Sequence, residues 1–124
     1  MLFKKTLQLV EVQGFEHVFI LSAKYGLLRL SAVIEPYNQT LSQMSILERH
    51  HWADSVWSKI IEASEKDGFS LVLDEFHFFA GQAYSEFLAT RLPRAKSPLE
   101  KLKIGERLAW LNRQLENDMG EGAL

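Results

Sequence analysis

The residue types best suited to chemistry stand in a short segment that follows an apolar run. Ser22, Lys24, Tyr25 and Gly26 come directly after residues 15–21, a run rich in valine, isoleucine and phenylalanine. Lysine supplies a cation, tyrosine a hydroxyl and a stacking face, and glycine a backbone that a ligand can approach closely. The segment suits a phosphate, a carboxylate or a heterocyclic base. The alternative interpretation is a structural turn in which Tyr25 packs and Lys24 stays in water.

A second polar segment follows eleven residues after Lys24, where Glu35 and Tyr37 flank Pro36. Proline fixes the backbone and holds its neighbours in a narrow range of conformations. Glu35 is predicted either to contribute a carboxylate to a binding site or to pair with Lys24. A buried pair of this kind is better support for a specified geometry than for stability.

A third segment repeats the arrangement of apolar run, glycine and helix. Gly81 ends the apolar residues 76–80, and Tyr84 stands one helical turn further on. Backbone amides at the start of a helix attract anions, although a glycine is also the ordinary way to turn a corner. The three segments supply the ligand-binding candidates: Ser22, Lys24, Tyr25, Gly26, Glu35, Tyr37, Gly81 and Tyr84.

Several reaction classes lack their sequence signatures. The chain has no phosphate-binding P-loop, no G-x-G-x-x-G, no H-E-x-x-H and no G-x-S-x-G segment. The absence of cysteine excludes a disulfide, a thiol nucleophile and a thiolate-bound metal. His50 and His51 point about 100° apart on a helix, so they cannot both face one metal ion. The sequence predicts no metal and no cofactor, assigns no catalytic residue and leaves open whether the protein is an enzyme.

Composition indicates one soluble domain. The chain has 124 residues, of which 47% are hydrophobic, and a formal net charge of −2. Residues 1–116 are predicted to form a single domain and residues 117–124 a flexible tail. No apolar run approaches the roughly 20 residues that span a bilayer, so no membrane partner is expected and the predicted location is cytoplasmic.

Two buried strands and a long helix organise the predicted fold. Ser45 and Glu48 match a capping box that starts the helix, and Val56, Trp57 and Ile60 lie on its apolar face. Alternating helices and strands favour an α/β fold, in which residues 16–21 and 75–80 are neighbouring parallel strands. The prediction is a small Rossmann-like layered domain with a short, mainly parallel sheet. Ligands bind such sheets at the carboxyl ends of the strands.

The motifs together resemble a bacterial and phage family, the domain of unknown function 6884. The resemblance rests on the segments Ile20-Leu21-Ser22-Ala23-Lys24-Tyr25-Gly26-Leu27-Leu28, Ile34-Glu35-Pro36-Tyr37, Ala80-Gly81-x-x-Tyr84 and Pro98-Leu99-Glu100-x-Leu102-x-Ile104-Gly105. The first two segments are also distantly similar to the YaaA peroxide-stress proteins, which are implicated in DNA binding and protection from oxidative damage. A weaker likeness connects the motifs with proteins of deazaguanine base modification.

The resemblance implies a ligand class and a departure from the family. It implies binding of a nucleotide, a base or a nucleic-acid-derived ligand, related to nucleic-acid modification or stress protection. Members of the family usually begin with a strand and a Cys-Ser-Lys-type motif, which this chain lacks, so an N-terminally truncated form is expected. A missing strand exposes a sheet edge, which a homodimer or a protein partner would cover.

Two further functions stay open at this stage. One is a non-catalytic interaction or regulatory module, for example phage-borne, that kept the fold after losing the N-terminal motif. The other is a DNA-binding stress protein, which the net charge disfavours. Local basic residues keep that second function open: Arg91, Arg94, Lys96, Lys101 and Lys103.

Overall fold

The protein is a mixed α/β protein, as the sequence predicts. The computed structural model describes residues 2–30, 41–99 and 101–122. Its helices and strands are, in chain order, α1 (Leu2–Gln13), β1 (Phe19–Ser22), β2 (Gly26–Arg29), α2 (Ile46–Asp67), β3 (Phe76–His77), α3 (Gln82–Ala89), β4 (Ala95–Lys96) and α4 (Ile104–Gly122). None of the helices in the described residues has the length and apolar character needed to cross a membrane.

The chain forms two compact units, Met1–Val18 with Lys101–Leu124 and Phe19–Glu100. In the first unit α1 packs against α4, and this unit buries Leu9 and Leu111 completely. Gly14 ends α1 in the left-handed conformation, with φ of 70°, as expected of a glycine C-terminal stop. The assignment of residues 1–116 to a single domain followed by a flexible tail stays a prediction.

The capping box predicted for the long helix is confirmed. The amide of Glu48 donates to the Ser45 hydroxyl over 3.2 Å, and the amide of Ser45 donates to the Glu48 carboxylate over 3.1 Å. The hydrogen bond from the Ser45 amide, followed by that from the Ser45 side chain, lowers the pKa of the Glu48 carboxyl group. At the other end, Gly68 adopts φ of 78° and its amide donates to the Ser64 carbonyl. Local sequence signals therefore define both ends of α2.

Removing the cap has a modest expected cost. Ser45→Ala deletes the acceptor for the Glu48 amide, and we expect the free energy of unfolding to fall by about 1 kcal/mol. Ser58→Ala is the matched control, because Ser58 is exposed in the middle of α2 and its hydroxyl donates to the helix's own Asp54 carbonyl. Urea denaturation of both variants measures the difference, and equal midpoints would contradict a stabilising role for the cap.

The strand pairing differs from the sequence prediction. In the described residues β1 pairs with β2 in an antiparallel hairpin, and β3 pairs with β4 in parallel. The predicted parallel pairing of residues 16–21 with 75–80 is therefore corrected. The physical reason is that Gly26, with φ of 77°, lets the chain reverse directly after β1, so β2 is the nearest strand available for pairing. Parallel strands need a crossover connection, and α3 supplies it between β3 and β4.

The core of the second unit lies between α2, α3 and the strand β3. Its buried residues are Ala53, Val56, Ile60, Phe78, Leu88 and Leu92. Val56 and Ile60 are buried as predicted, whereas Trp57 is half-buried and packs against the edge of this cluster. The core leaves part of the Trp57 ring uncovered. The guanidinium of Arg91 lies 5.8 Å from the centre of this ring and makes a cation–π contact with that part.

Candidate functional site

The predicted lysine–tyrosine segment forms the turn of the β1–β2 hairpin. Ser22 and Gly26 are partners in the strand register, so residues 23–25 form a three-residue turn. The Ser22 hydroxyl accepts the amide of Tyr25 over 3.0 Å, and Gly26 supplies the left-handed residue that closes such turns. The segment is therefore the turn of an antiparallel hairpin.

Helix α2 holds this turn through two side chains. The indole of Trp52 donates to the Ser22 carbonyl over 2.8 Å, and the ammonium of Lys59 donates to the Tyr25 carbonyl over 3.0 Å. A spacing of seven residues places Trp52 and Lys59 on the same face of α2. The turn backbone is thus bonded to a rigid helix at both of its ends.

Trp52 also connects the turn to the start of α3. Its ring meets the ring of Tyr84 edge-on, with centroids 5.8 Å apart and planes at 88°. Gly81 is the N-cap of α3 in an extended conformation, and no side chain caps the helix there. The Ser22 carbonyl and the Tyr84 ring therefore contact the same indole, which brings two of the predicted segments together. We call the turn with Trp52, Lys59 and Tyr84 the turn site.

Two ammonium groups lie beside Tyr25 in the turn site. Lys24 is exposed and its ammonium stands 5.2 Å from the centre of the Tyr25 ring. The Lys59 ammonium binds the Tyr25 carbonyl. Within the described ranges neither lysine forms an ion pair with a carboxylate. The described part of the site therefore has excess positive charge next to an aromatic ring.

A charged pair lies one turn nearer the start of α2. The Arg49 guanidinium faces the Glu86 carboxylate of α3 over 3.7 Å, and both side chains are 21% exposed. The Nε atom of Arg49 is buried and makes no hydrogen bond to any residue that the structure describes. The pair links α2 to α3 one helical turn away from Trp52. The Glu86 carboxylate faces Arg49 rather than Lys24 or Lys59.

The predicted site residues fall into two groups. The structure places Ser22, Lys24, Tyr25, Gly26, Gly81 and Tyr84 in the second unit, in the turn and at the start of α3. Glu35 and Tyr37 lie outside the described residues, so the predicted convergence with these two stays a prediction, as does the pairing of Glu35 with Lys24. The described residues hold no group of three or more His, Asp or Glu side chains suited to a metal ion.

Sequence reasoning missed Trp52 and Lys59. The apolar stripe of α2 drew attention to Val56 and its neighbours in the core, whereas the two missed residues flank that stripe. Their seven-residue spacing was a readable signal, because positions i and i+7 share a helix face. Their contacts with the turn bridge 30 and 34 positions of the chain, which no local pattern encodes.

The comparison with protein families gives one match. The model of a family of unknown function, DUF6884, matches residues 1–113. Neither a curated protein nor a solved structure matches the chain.

Proposed function

Given that the chain belongs to the family of unknown function DUF6884, whose description carries no activity, we propose that it binds a phosphate-bearing nucleotide or nucleic-acid-derived ligand at the turn site. The proposal rests on one observation. Lys24 and Lys59 hold their ammonium groups beside Tyr25 without a carboxylate partner in the described part of the chain. Lysine is a common ligand for phosphate, to which it acts as a point charge.

The aromatic residues of the turn site suit the base of such a ligand. Tyr25 and Tyr84 are half-buried, so each ring has a supported face and an accessible part. Bases stack on aromatic side chains with little dependence on sequence. The indole N–H of Trp52 is already donated to the Ser22 carbonyl, so Trp52 positions the turn and Tyr84 rather than reading the ligand's polar edge.

The β3–α3–β4 unit gives this proposal its place in the fold. Gly81 and Tyr84 follow β3, and in parallel α/β units the ligand side is the carboxyl end of the strands. We include in the proposal the Rossmann-like layering that the sequence predicts. The parallel pairing of β3 with β4 supports this layering. The proposed function is binding, and no residue is assigned a catalytic step.

A second candidate function is a non-catalytic interaction module. Val72 and Leu73 favour it, because these aliphatic side chains are 63% and 72% exposed. They lie in the turn between α2 and β3, away from the residues that form the turn site.

Titration calorimetry tests the proposal with four probes: nucleoside monophosphates, the corresponding nucleosides, inorganic phosphate and a short single-stranded oligonucleotide. We expect the phosphorylated probes to bind and the nucleosides to bind more weakly. Lys24→Ala is expected to weaken phosphate-dependent binding roughly ten- to a hundredfold, because one charge-assisted contact contributes about 1.5–3 kcal/mol. Its melting temperature should stay close to that of the wild type, because Lys24 is exposed.

Lys66→Ala is the matched control for charge. Lys66 is an exposed lysine in the last turn of α2, so its removal lowers the net charge equally without touching the turn. The variant should bind as the wild type does. Absence of binding by every probe, or equal affinity of the two lysine variants, would refute the proposed function.

A further inference from the structure

The segment between α2 and β3 is a turn that several hydrogen bonds hold, and it carries two exposed aliphatic side chains. The Ser70 hydroxyl accepts the amides of Val72 and Leu73, over 3.3 and 3.0 Å. The Asp74 carboxylate accepts the amide of Ser70 over 2.7 Å, and the Asp74 amide donates to the Ser70 carbonyl. The Arg94 guanidinium donates to the Leu73 carbonyl. Five hydrogen bonds therefore hold the backbone of this turn.

The two aliphatic side chains do not serve the core. Leu71 packs against the core cluster, whereas Val72 and Leu73 remain 63% and 72% exposed. A backbone held by hydrogen bonds presents them without the entropic cost of ordering a flexible loop on binding. Fixed, adjacent, exposed aliphatic side chains are typical of a contact surface.

The outward face of β3 and β4 continues this surface with charged residues. Phe76, Phe78 and Ala95 face the core cluster, so the alternating residues face outward. Glu75 accepts hydrogen bonds there from Arg94 over 3.1 Å and from His77 over 3.2 Å.

Arg94 joins the two parts of the surface, because it binds both the Leu73 carbonyl and Glu75. Lys96 lies 3.5 Å from the same Glu75 oxygen that Arg94 binds. We define the tip patch as the exposed residues of this surface: Val72, Leu73, Asp74, Glu75, Arg94 and Lys96.

The charges of the tip patch balance. It contains the carboxylates of Asp74 and Glu75 and the cations of Arg94 and Lys96. The hydrogen bond from His77, followed by the charges of Lys96 and Arg94, lowers the pKa of Glu75. A polyanion or a strongly acidic protein would therefore meet as many carboxylates as cations.

A second copy of the chain complements this arrangement. A two-fold axis places the same patch on both subunits, so the cations of one copy can face the carboxylates of the other while the aliphatic pairs meet. We propose that the tip patch binds a second copy of this chain and forms an isologous homodimer. The patch has six residues, against the roughly 20–30 a side of a standard interface, so the dimer is weak, with a dissociation constant on the order of 10–100 µM.

Analytical ultracentrifugation from about 5 to 500 µM protein, a range that brackets this constant, tests the apolar part of the patch. The wild type should shift from monomer to dimer, and Leu73→Asp should weaken association at least about tenfold, because it places a carboxylate in the aliphatic contact. Ile61→Asp is the matched control. Ile61 is also exposed, on α2, but its aliphatic neighbour Ile60 is buried, so Ile61 belongs to no exposed aliphatic pair and its variant should dimerise like the wild type.

A mixing experiment tests the charge pattern. Glu75→Lys makes the patch strongly positive, and the double variant Arg94→Glu/Lys96→Glu makes it strongly negative. Each should stay monomeric alone, and their equimolar mixture should form dimers, because opposite patches then face each other. Circular dichroism checks that each variant is folded.

Three outcomes would overturn the homodimer. The first is a wild type that stays monomeric over the whole range, and the second is a Leu73→Asp variant that dimerises like the wild type. The third is a mixture that stays monomeric while the wild type dimerises, which would place the interface elsewhere. Lys24→Ala should dimerise normally, so failure of this proposal and failure of the turn site give different results.

Discussion

Trp52→Ala is expected to lower the free energy of unfolding by about 3–4 kcal/mol. The half-buried ring packs against the core cluster, meets Tyr84 edge-on and donates its N–H to the Ser22 carbonyl. Its removal leaves a cavity between the hairpin and α3 and takes away one donor to the carbonyl of Ser22, a residue that is 1% exposed. Guanidinium denaturation followed by circular dichroism measures the loss.

A conservative variant separates the hydrogen bond from the packing. Trp52→Phe keeps an aromatic ring but has no donor, so the Ser22 carbonyl loses its partner from α2, and we expect a loss of about 1–2 kcal/mol. Trp57→Phe is the matched control. Trp57 is half-buried on the same helix, and its ring contact with Arg91 survives the change. Equal stability of the two phenylalanine variants would show that the Trp52 hydrogen bond does not stabilise the hairpin.

The elements read correctly from the sequence are those that local chemistry defines. The start of α2 follows from Ser45 and Glu48, because a capping box needs residues only three positions apart. The structure ends it at Gly68, a local signal of the same kind, because glycine tolerates the left-handed conformation that side chains disfavour. These signals act over a few residues, so the sequence states them directly.

The hairpin and β4 escaped the sequence analysis because of their length. β2 has four residues and β4 has two, too few to show the alternation that marks a half-buried strand. The pairing of β3 with β4 connects residues that lie on either side of α3, so it depends on tertiary packing. The sequence analysis identified Lys24, Tyr25 and Gly26 of the turn site because polar residues and glycine after an apolar run indicate a candidate binding segment. Its support by Trp52 and Lys59 was missed because those contacts are long-range.

Gly26→Val is expected to lower the free energy of unfolding by about 3 kcal/mol or more. Gly26 has φ of 77°, a conformation that costs a residue with a side chain roughly 1–2 kcal/mol. A Cβ atom there would lie 3.4 Å from the Lys59 ammonium and 3.5 Å from a Val56 methyl group. Alanine therefore fits at normal contact distance and mainly adds strain. The two methyl groups of valine would push against α2 and add an overpacking cost of about 1–3 kcal/mol.

Gly68 supplies the matched control, because it has nearly the same φ, 78°, but nothing lies within 4 Å of its added Cβ. Gly26→Ala and Gly68→Ala should therefore cost similar amounts, about 1–2 kcal/mol each, since both introduce backbone strain alone. Gly26→Val should exceed Gly68→Val by at least about 1 kcal/mol, because only the first displaces a packed helix. Urea denaturation of the four variants gives both differences. Equal costs for the two valine variants would mean that the hairpin turn does not pack tightly against α2. The Lys59 side chain, which donates to the Tyr25 carbonyl, would then shift together with the turn to accommodate the valine.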